Sequence, residues 1–214
     1  RYGSVDVTAS KLSEGAKGVY IIAATPFTDE GAVDLASVDS LTDFYLGCGV
    51  HGFTLLGMMG EAHKLTAEES IDVVKRVIAR AKGEGLEANF GMEFEWFNFA
   101  ETPQSWAEKK YAHPEPITPG MFGYSVVRTT QSQPYFAALM DEMRQFNIPI
   151  EGLHTETGPG VFEAAILYSN ALEAADRATL FKTAAKEIGS RFGIMPSFMA
   201  KWNSRLPGCS GHLH

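Results

Sequence analysis

Before Gly85 the apolar residues fall into two alternating kinds of run. Val19–Ala24 (VYIIAA) and Gly52–Gly57 (GFTLLG) are short and continuous, the pattern of parallel strands buried on both faces. Between them Leu35, Val38, Leu41, Phe44 and Tyr45 recur at helical spacing until Gly47 and Gly49 stop the run. Thr66 and Glu69 then form a capping box for a helix that presents Ile71, Val74, Val77 and Ile78 on one face and ends near Gly83. The order βαβα predicts a parallel sheet.

From Gly85 the period changes to two. Phe90, Met92, Phe94 and Trp96 alternate with Gly91, Glu93, Glu95 and Phe97, giving a strand with one apolar face. A proline-rich connection, Pro114 to Gly120, leads to a helix around Tyr135 to Phe146, stopped by Asn147 and Pro149. The segments IEGLHTE and VFEAAIL read as paired strands around the turn TGPG. A long amphipathic helix runs from about Ala171 to Phe192 with Gly193 as its cap. A strand (IMPSFMAKW) and the stretch PGCSGHLH follow. One-sided alternation is the grammar of antiparallel sheets, so the fold class is α/β followed by α+β. The expected division is a loose lead at 1–16, a βαβα unit at 17–84 and a second unit at 85–214. Its seam lies within Lys82 to Leu86, and the two units are not expected to share a core.

Composition adds mainly exclusions. The 214 residues are 45% hydrophobic and 21% charged, ordinary for a globular chain with a sizeable core. There are 8 basic and 12 acidic residues before Gly85, and 10 and 14 from it onward, so each side carries −4. No basic lobe exists to hold nucleic acid or an anionic membrane. No apolar run is long enough for a bilayer span, and the start lacks a signal-peptide core. Two cysteines, Cys48 and Cys209, lie far apart in no metal spacing, which favours a reducing cytoplasm over a disulfide framework.

Candidate chemistry lies in the acids. Glu93 and Glu95, at i and i+2, share one face of their strand, either as a wet polar surface or as hard oxygen ligands for divalent cations. Glu156 and Glu163 flank the Gly-Pro-Gly turn, either as solvated acids or as carboxylates that face each other across it. His212 and His214 again share a face. Carboxylates and an imidazole at strand ends fit Mg²⁺ or Mn²⁺.

Three of these stretches, GMEFEWF, ETGPGVFE and GHLH, carry a resemblance from about Leu86 to His214 to the catalytic domain of glutamine synthetase. The resemblance implies a partial antiparallel half-barrel around two cations, with ATP phosphorylating a glutamate-like amino acid before ammonia or an amine displaces the phosphate. It implies that Glu95, Glu156 and Glu163 ligate the cation near the amino acid. Glu93 and His212 would ligate the cation near the phosphates, and His214 would lie close to the nucleotide. Val161 stands where the family usually has glutamine. The family's further cation-binding glutamate and its phosphate-binding arginines fall after the last residue here, so the expected ligase core is incomplete and weakly active or inactive.

The segment at about 17–83 resembles the start of the dihydrodipicolinate synthase and N-acetylneuraminate lyase family, a βαβα piece of a TIM barrel. Its landmark is Gly57, Met58, Met59, Gly60 and Glu61, either a carboxylate-binding loop or a tight βα loop with packed methionines. The family's Schiff-base lysine lies on a strand beyond this segment, so lyase chemistry is a remote alternative. An inert mosaic or scaffold is the other. Apolar faces left uncovered in both parts imply self-association.

Overall fold

The structure, a computed structural model, describes residues 18–214; the lead expected at 1–16 lies outside the described residues. In the first part β1 (Tyr20–Ile22) and β2 (Gly52–Thr54) pair in parallel, with Tyr20 opposite Gly52 and Ile22 opposite Thr54. Between them α1 (Leu35–Gly47) starts at Asp34, whose carboxylate accepts from the N–H groups of Ala36 and Ser37. The second helix, α2 (Ala67–Gly83), has the expected box: Thr66 accepts from the Glu69 N–H and Glu69 accepts from the Thr66 N–H. The helices meet through Val38, Val73 and Val77. Arg76 adds a two-pronged contact to Asp39 at 2.9 and 2.6 Å.

Several details here depart from the pattern-based expectation. Both strands are three residues long, and β1 is not buried on both faces: Val19, Tyr20 and Ile22 are 59%, 46% and 51% exposed. A two-stranded sheet with two helices has one covered side, where Phe53 meets Tyr45. Nothing among the described residues covers the other. The helix faces are narrower than predicted, because α1 and α2 pack mostly on each other. Phe44 and Ile71 are therefore exposed, while Val73 and Val77, one turn apart, carry the contact.

The second part is a five-stranded antiparallel sheet, separate from the first. Strand β3 (Met92–Phe99) pairs on one side with β5 (Val161–Ile166), which pairs in turn with β4 (Ile150–Thr155). On its other side β3 takes two short partners in tandem, β7 (Gly211–Leu213) along Met92–Phe94 and β6 (Met195–Ser197) along Phe97–Phe99. One face of this sheet is the main core. Trp96, Phe162, Ala164 and Ile166 pack there against α5 (Gln133–Gln145) and α6 (Ala171–Arg191), through Tyr135, Phe136, Leu139 and Phe181. The other face carries a smaller cluster of Phe97, Phe99 and Val161, with Trp202 edge-on to both phenylalanines. Val161 is thus a core residue. Beyond β6, Phe198 leaves the strand path and packs on Phe94, Trp96 and Phe181. No cluster residue is shared between the two parts.

Two six-residue helices, α3 (Pro103–Glu108) and α4 (Val126–Gln131), were invisible to periodicity because each is too short to show a face. Their caps, Thr102 with Pro103 and Ser125, are the only marks they leave.

The turn that matters for the site is pinned from below. The Gly160 carbonyl accepts from the Asn98 backbone N–H at 2.8 Å and from Asn98 Nδ2 at 3.3 Å. Asn98 Oδ1 in turn accepts from Trp96 Nε1 at 2.8 Å and from the Tyr135 hydroxyl at 3.2 Å. Gly160 has φ +71°, and a Cβ there would lie 2.5 Å from the Asn98 carbonyl oxygen, so glycine is required.

Candidate functional site

Period two and the observed register bring the acids together on the face opposite the main core. Glu95 on β3 is paired directly with Glu163 on β5, and Glu163 with His154 on β4. Glu156 follows His154 by two residues, on the same face, and its N–H bonds the Val161 carbonyl across the turn. On the far side of β3, Glu93 is opposite His212. The four glutamates and His212 therefore share one surface.

Within that surface the contacts divide. One ligand atom from each of His154, Glu156 and Glu163 lies within 4.8 Å of the others. Glu95 is held by the loop before β7: Ser210 donates its backbone N–H to Oε2 at 3.0 Å and its hydroxyl to Oε1 at 3.1 Å. His212 Nε2 lies 3.5 Å from the same Oε1. The His214 ring bonds Glu93 Oε2 at 2.9 Å.

The electrostatics follow from crowding. Burial, then the hydrogen bond to Glu93, then the charges of Glu93, Glu95 and Glu156 push the Glu163 carboxyl up to about 8. Glu163 is thus pushed toward its protonated form at neutral pH. The His214 hydrogen bond, above all, draws Glu93 down to about 2 against its partial burial, and Glu93 raises His214. Burial pushes Glu156 up, yet hydrogen bonds from Thr157 and the Tyr124 hydroxyl leave it below the ordinary carboxylate value. Burial and then Glu95 push the Cys209 thiol up to about 12, which leaves it protonated and unreactive.

Three participants escaped pattern reading: His154, Tyr124 and Ser210. The first had a signal, since His154 and Glu156 have the same i, i+2 spacing that marked Glu93 and Glu95. Tyr124 comes from a loop between α3 and α4, and only the fold places its ring 4.9 Å from the His154 ring. The fit to a divalent cation is chemically sound. Several carboxylates and an imidazole on one partly buried face are hard and borderline donors that repel one another until positive charge arrives.

The loop at Gly57–Glu61 is of another kind. Its methionines are not packed: Met58 is 84% and Met59 62% exposed, on a short 3₁₀ turn. Neither side chain offers a donor, and Glu61 pairs with Lys64 at 2.9 Å. Gly60 is the tight point, where its carbonyl accepts from Thr25 Oγ1 at 2.6 Å.

Comparison with known proteins finds two families along the chain. The family model described as glutamine synthetase, catalytic domain, matches residues 71–214, and that of the dihydrodipicolinate synthetase family matches residues 15–85. Type-1 glutamine synthetase 2 of Dictyostelium discoideum is 52% identical over 141 residues, which is 66% of this chain and 27% of that protein. The 4-hydroxy-tetrahydrodipicolinate synthase of Laribacter hongkongensis is 36% identical over 66 residues, 31% of this chain and 23% of that protein. A solved GmaS/ADP complex superposes with a TM-score of 0.51 at 28% identity, covering 65% of this chain and 32% of that one. The chain thus spans about a third or less of the length of each of these relatives. It is chimera-like, with a front segment of one ancestry and a longer remainder of another. By that longer remainder, the chain belongs to the glutamine synthetase family.

Proposed function

We propose that residues 85–214 are the cation-binding core of an ATP-dependent ligase that joins a glutamate-like carboxylate to ammonia or an amine. The observation that carries this reading is the gathering of Glu93, Glu95, Glu156, Glu163 and His212 on one sheet face, in register, beside a turn pinned by a buried asparagine. In this reading Glu95, Glu156 and Glu163 hold one Mg²⁺ or Mn²⁺, Glu93 and His212 hold a second, and His214 lies beside the nucleotide. When bound, such cations neutralise charge on a transferring phosphoryl group. The chain's own residues supply position. Ser210 fixes the Glu95 carboxylate, His214 fixes Glu93, and Thr157 fixes Glu156. Residues 17–84 we read as a βαβα piece of barrel descent that contributes no group to this face, and its Met58–Met59 loop lacks the side-chain donors a carboxylate needs.

Calorimetric titration of the metal-free chain with Mn²⁺ tests the reading. Saturable binding that falls at least tenfold in Glu163→Ala or Glu156→Ala is expected. Binding that is absent, or unaffected by either change, would remove its basis. Phosphate release from ATP in the presence of glutamate and ammonia or a small amine then measures how much turnover this core supports.

A further inference from the structure

We infer that His154 is itself a cation ligand, making the position beside the Gly-Pro-Gly turn a mixed imidazole–carboxylate site that takes a divalent transition-metal ion in preference to Mg²⁺. The inference rests on the cation-binding reading above and departs from its all-carboxylate ligand set.

Three observations carry it. First, the compact donor set is not the three carboxylates: it is His154, Glu156 and Glu163, with ligand atoms within 4.8 Å of one another. Neighbouring donors on an octahedral ion of this size lie about 3 Å apart, so small side-chain rotations close the set. Glu95, by contrast, is already satisfied by Ser210 and lies beside His212.

Second, the imidazole is oriented as a ligand is. His154 Nδ1 lies 3.3 Å from the Thr155 carbonyl oxygen. The tautomer that donates there leaves the Nε2 lone pair free, the arrangement by which a backbone carbonyl fixes a metal-binding histidine. Among the described residues His154 forms no ion pair that would compete for that lone pair.

Third, a neighbouring residue braces the imidazole. The Tyr124 ring packs on the His154 ring at 4.9 Å. Tyr124 holds a left-handed backbone, φ +55°, with its N–H on the Thr155 carbonyl at 2.6 Å, so the brace is anchored to the same strand. The consequence is selectivity. Mg²⁺ prefers oxygen and retains water, whereas an imidazole beside two carboxylates favours ions later in the transition series.

The test compares Co²⁺ and Mg²⁺ on the full chain by calorimetry and competition, with the visible spectrum of bound Co²⁺ reporting nitrogen ligation. Wild-type chain is expected to bind Co²⁺ at least tenfold more tightly than Mg²⁺. His154→Asn should lose at least tenfold in Co²⁺ affinity and clearly less in Mg²⁺ affinity; His154→Gln serves if the first variant does not fold. His212→Asn is the control for the neighbouring imidazole. Unchanged Co²⁺ binding in the His154 variants, or loss confined to His212→Asn, overturns the inference and leaves the cation-binding reading intact. Wild-type chain that binds neither ion overturns both.

Discussion

Glu163 on β5 stands directly opposite Glu95 on β3, and burial together with the neighbouring Glu93 pushes its carboxyl up to about 8. The loop before β7 claims Glu95, while crowding pushes Glu163 toward its protonated form and the His214 hydrogen bond holds Glu93 ionised. A cation entering this face must therefore displace a proton.

That division gives the metal-free chain an unusual pH profile. Glu163 ionises near 8 in the folded state and near 4.5 when unfolded, so between those values the folded state binds more protons and stability falls as pH rises. Glu93, at about 2 folded and 4.5 unfolded, has the opposite sign, and its contribution is lost as pH falls toward 2. His214, raised by Glu93, adds stability at low pH that is lost as pH rises through its folded value. Denaturant midpoints in chelator should thus decline from about pH 5 to about pH 8. Glu163→Gln should flatten that decline; the same slope in both proteins would refute the assignment of the proton.

Asn98 should be worth more than its size suggests. Asn98→Leu leaves the Trp96 indole N–H and the Tyr135 hydroxyl buried without their acceptor. At about 1–3 kcal/mol for each unsatisfied group, the loss should be about 2–6 kcal/mol. Urea unfolding measures it. Pairing Asn98→Leu with Tyr135→Phe should recover part of the loss, and strict additivity would argue against the shared acceptor.

Two glycines with similar φ separate backbone strain from collision. Gly160→Ala meets the Asn98 carbonyl at 2.5 Å, whereas Gly193→Ala, at φ +67°, meets nothing within 4 Å. The second should cost about 1 kcal/mol from conformation alone. The first should cost clearly more and should also disturb cation binding, since the turn carries Glu156 and Glu163. Equal thermal shifts would show that the turn absorbs the added methyl.

The bare side of β1 should drive association. Val19, Tyr20 and Ile22 expose apolar surface beside unpaired strand edges. Sedimentation velocity should show concentration-dependent oligomers that Ile22→Lys reduces. A monomer at all concentrations would show that these residues are tolerated in water.

Much of this architecture was legible in the sequence because it is locally encoded. The Thr66–Glu69 box, the period-two run through Trp96 and the glycine turn between β4 and β5 each depend on neighbours within a few residues. What was not legible depends on packing partners. Whether Ile71 or Val73 is buried is decided by what α2 rests on, and the length of β1 by how many strands join it. In the site, the carboxylates could be placed on a common face by counting. That Ser210 would take Glu95 and leave His154 beside Glu163 required the tandem pairing of β6 and β7, which no single segment announces.

Helix α2 lies where the two ancestries overlap, since one family match ends at residue 85 and the other begins at residue 71. A strand could hardly serve as such a junction, because its backbone bonds belong to other segments and a foreign strand brings none of its own partners. A helix closes its hydrogen bonds internally and asks of its surroundings only one apolar stripe. A join within that overlap and before Glu84 would fall in the class of element that tolerates a change of lineage in mid-course, so that α2 could begin by one inheritance and finish by another without a break in its backbone.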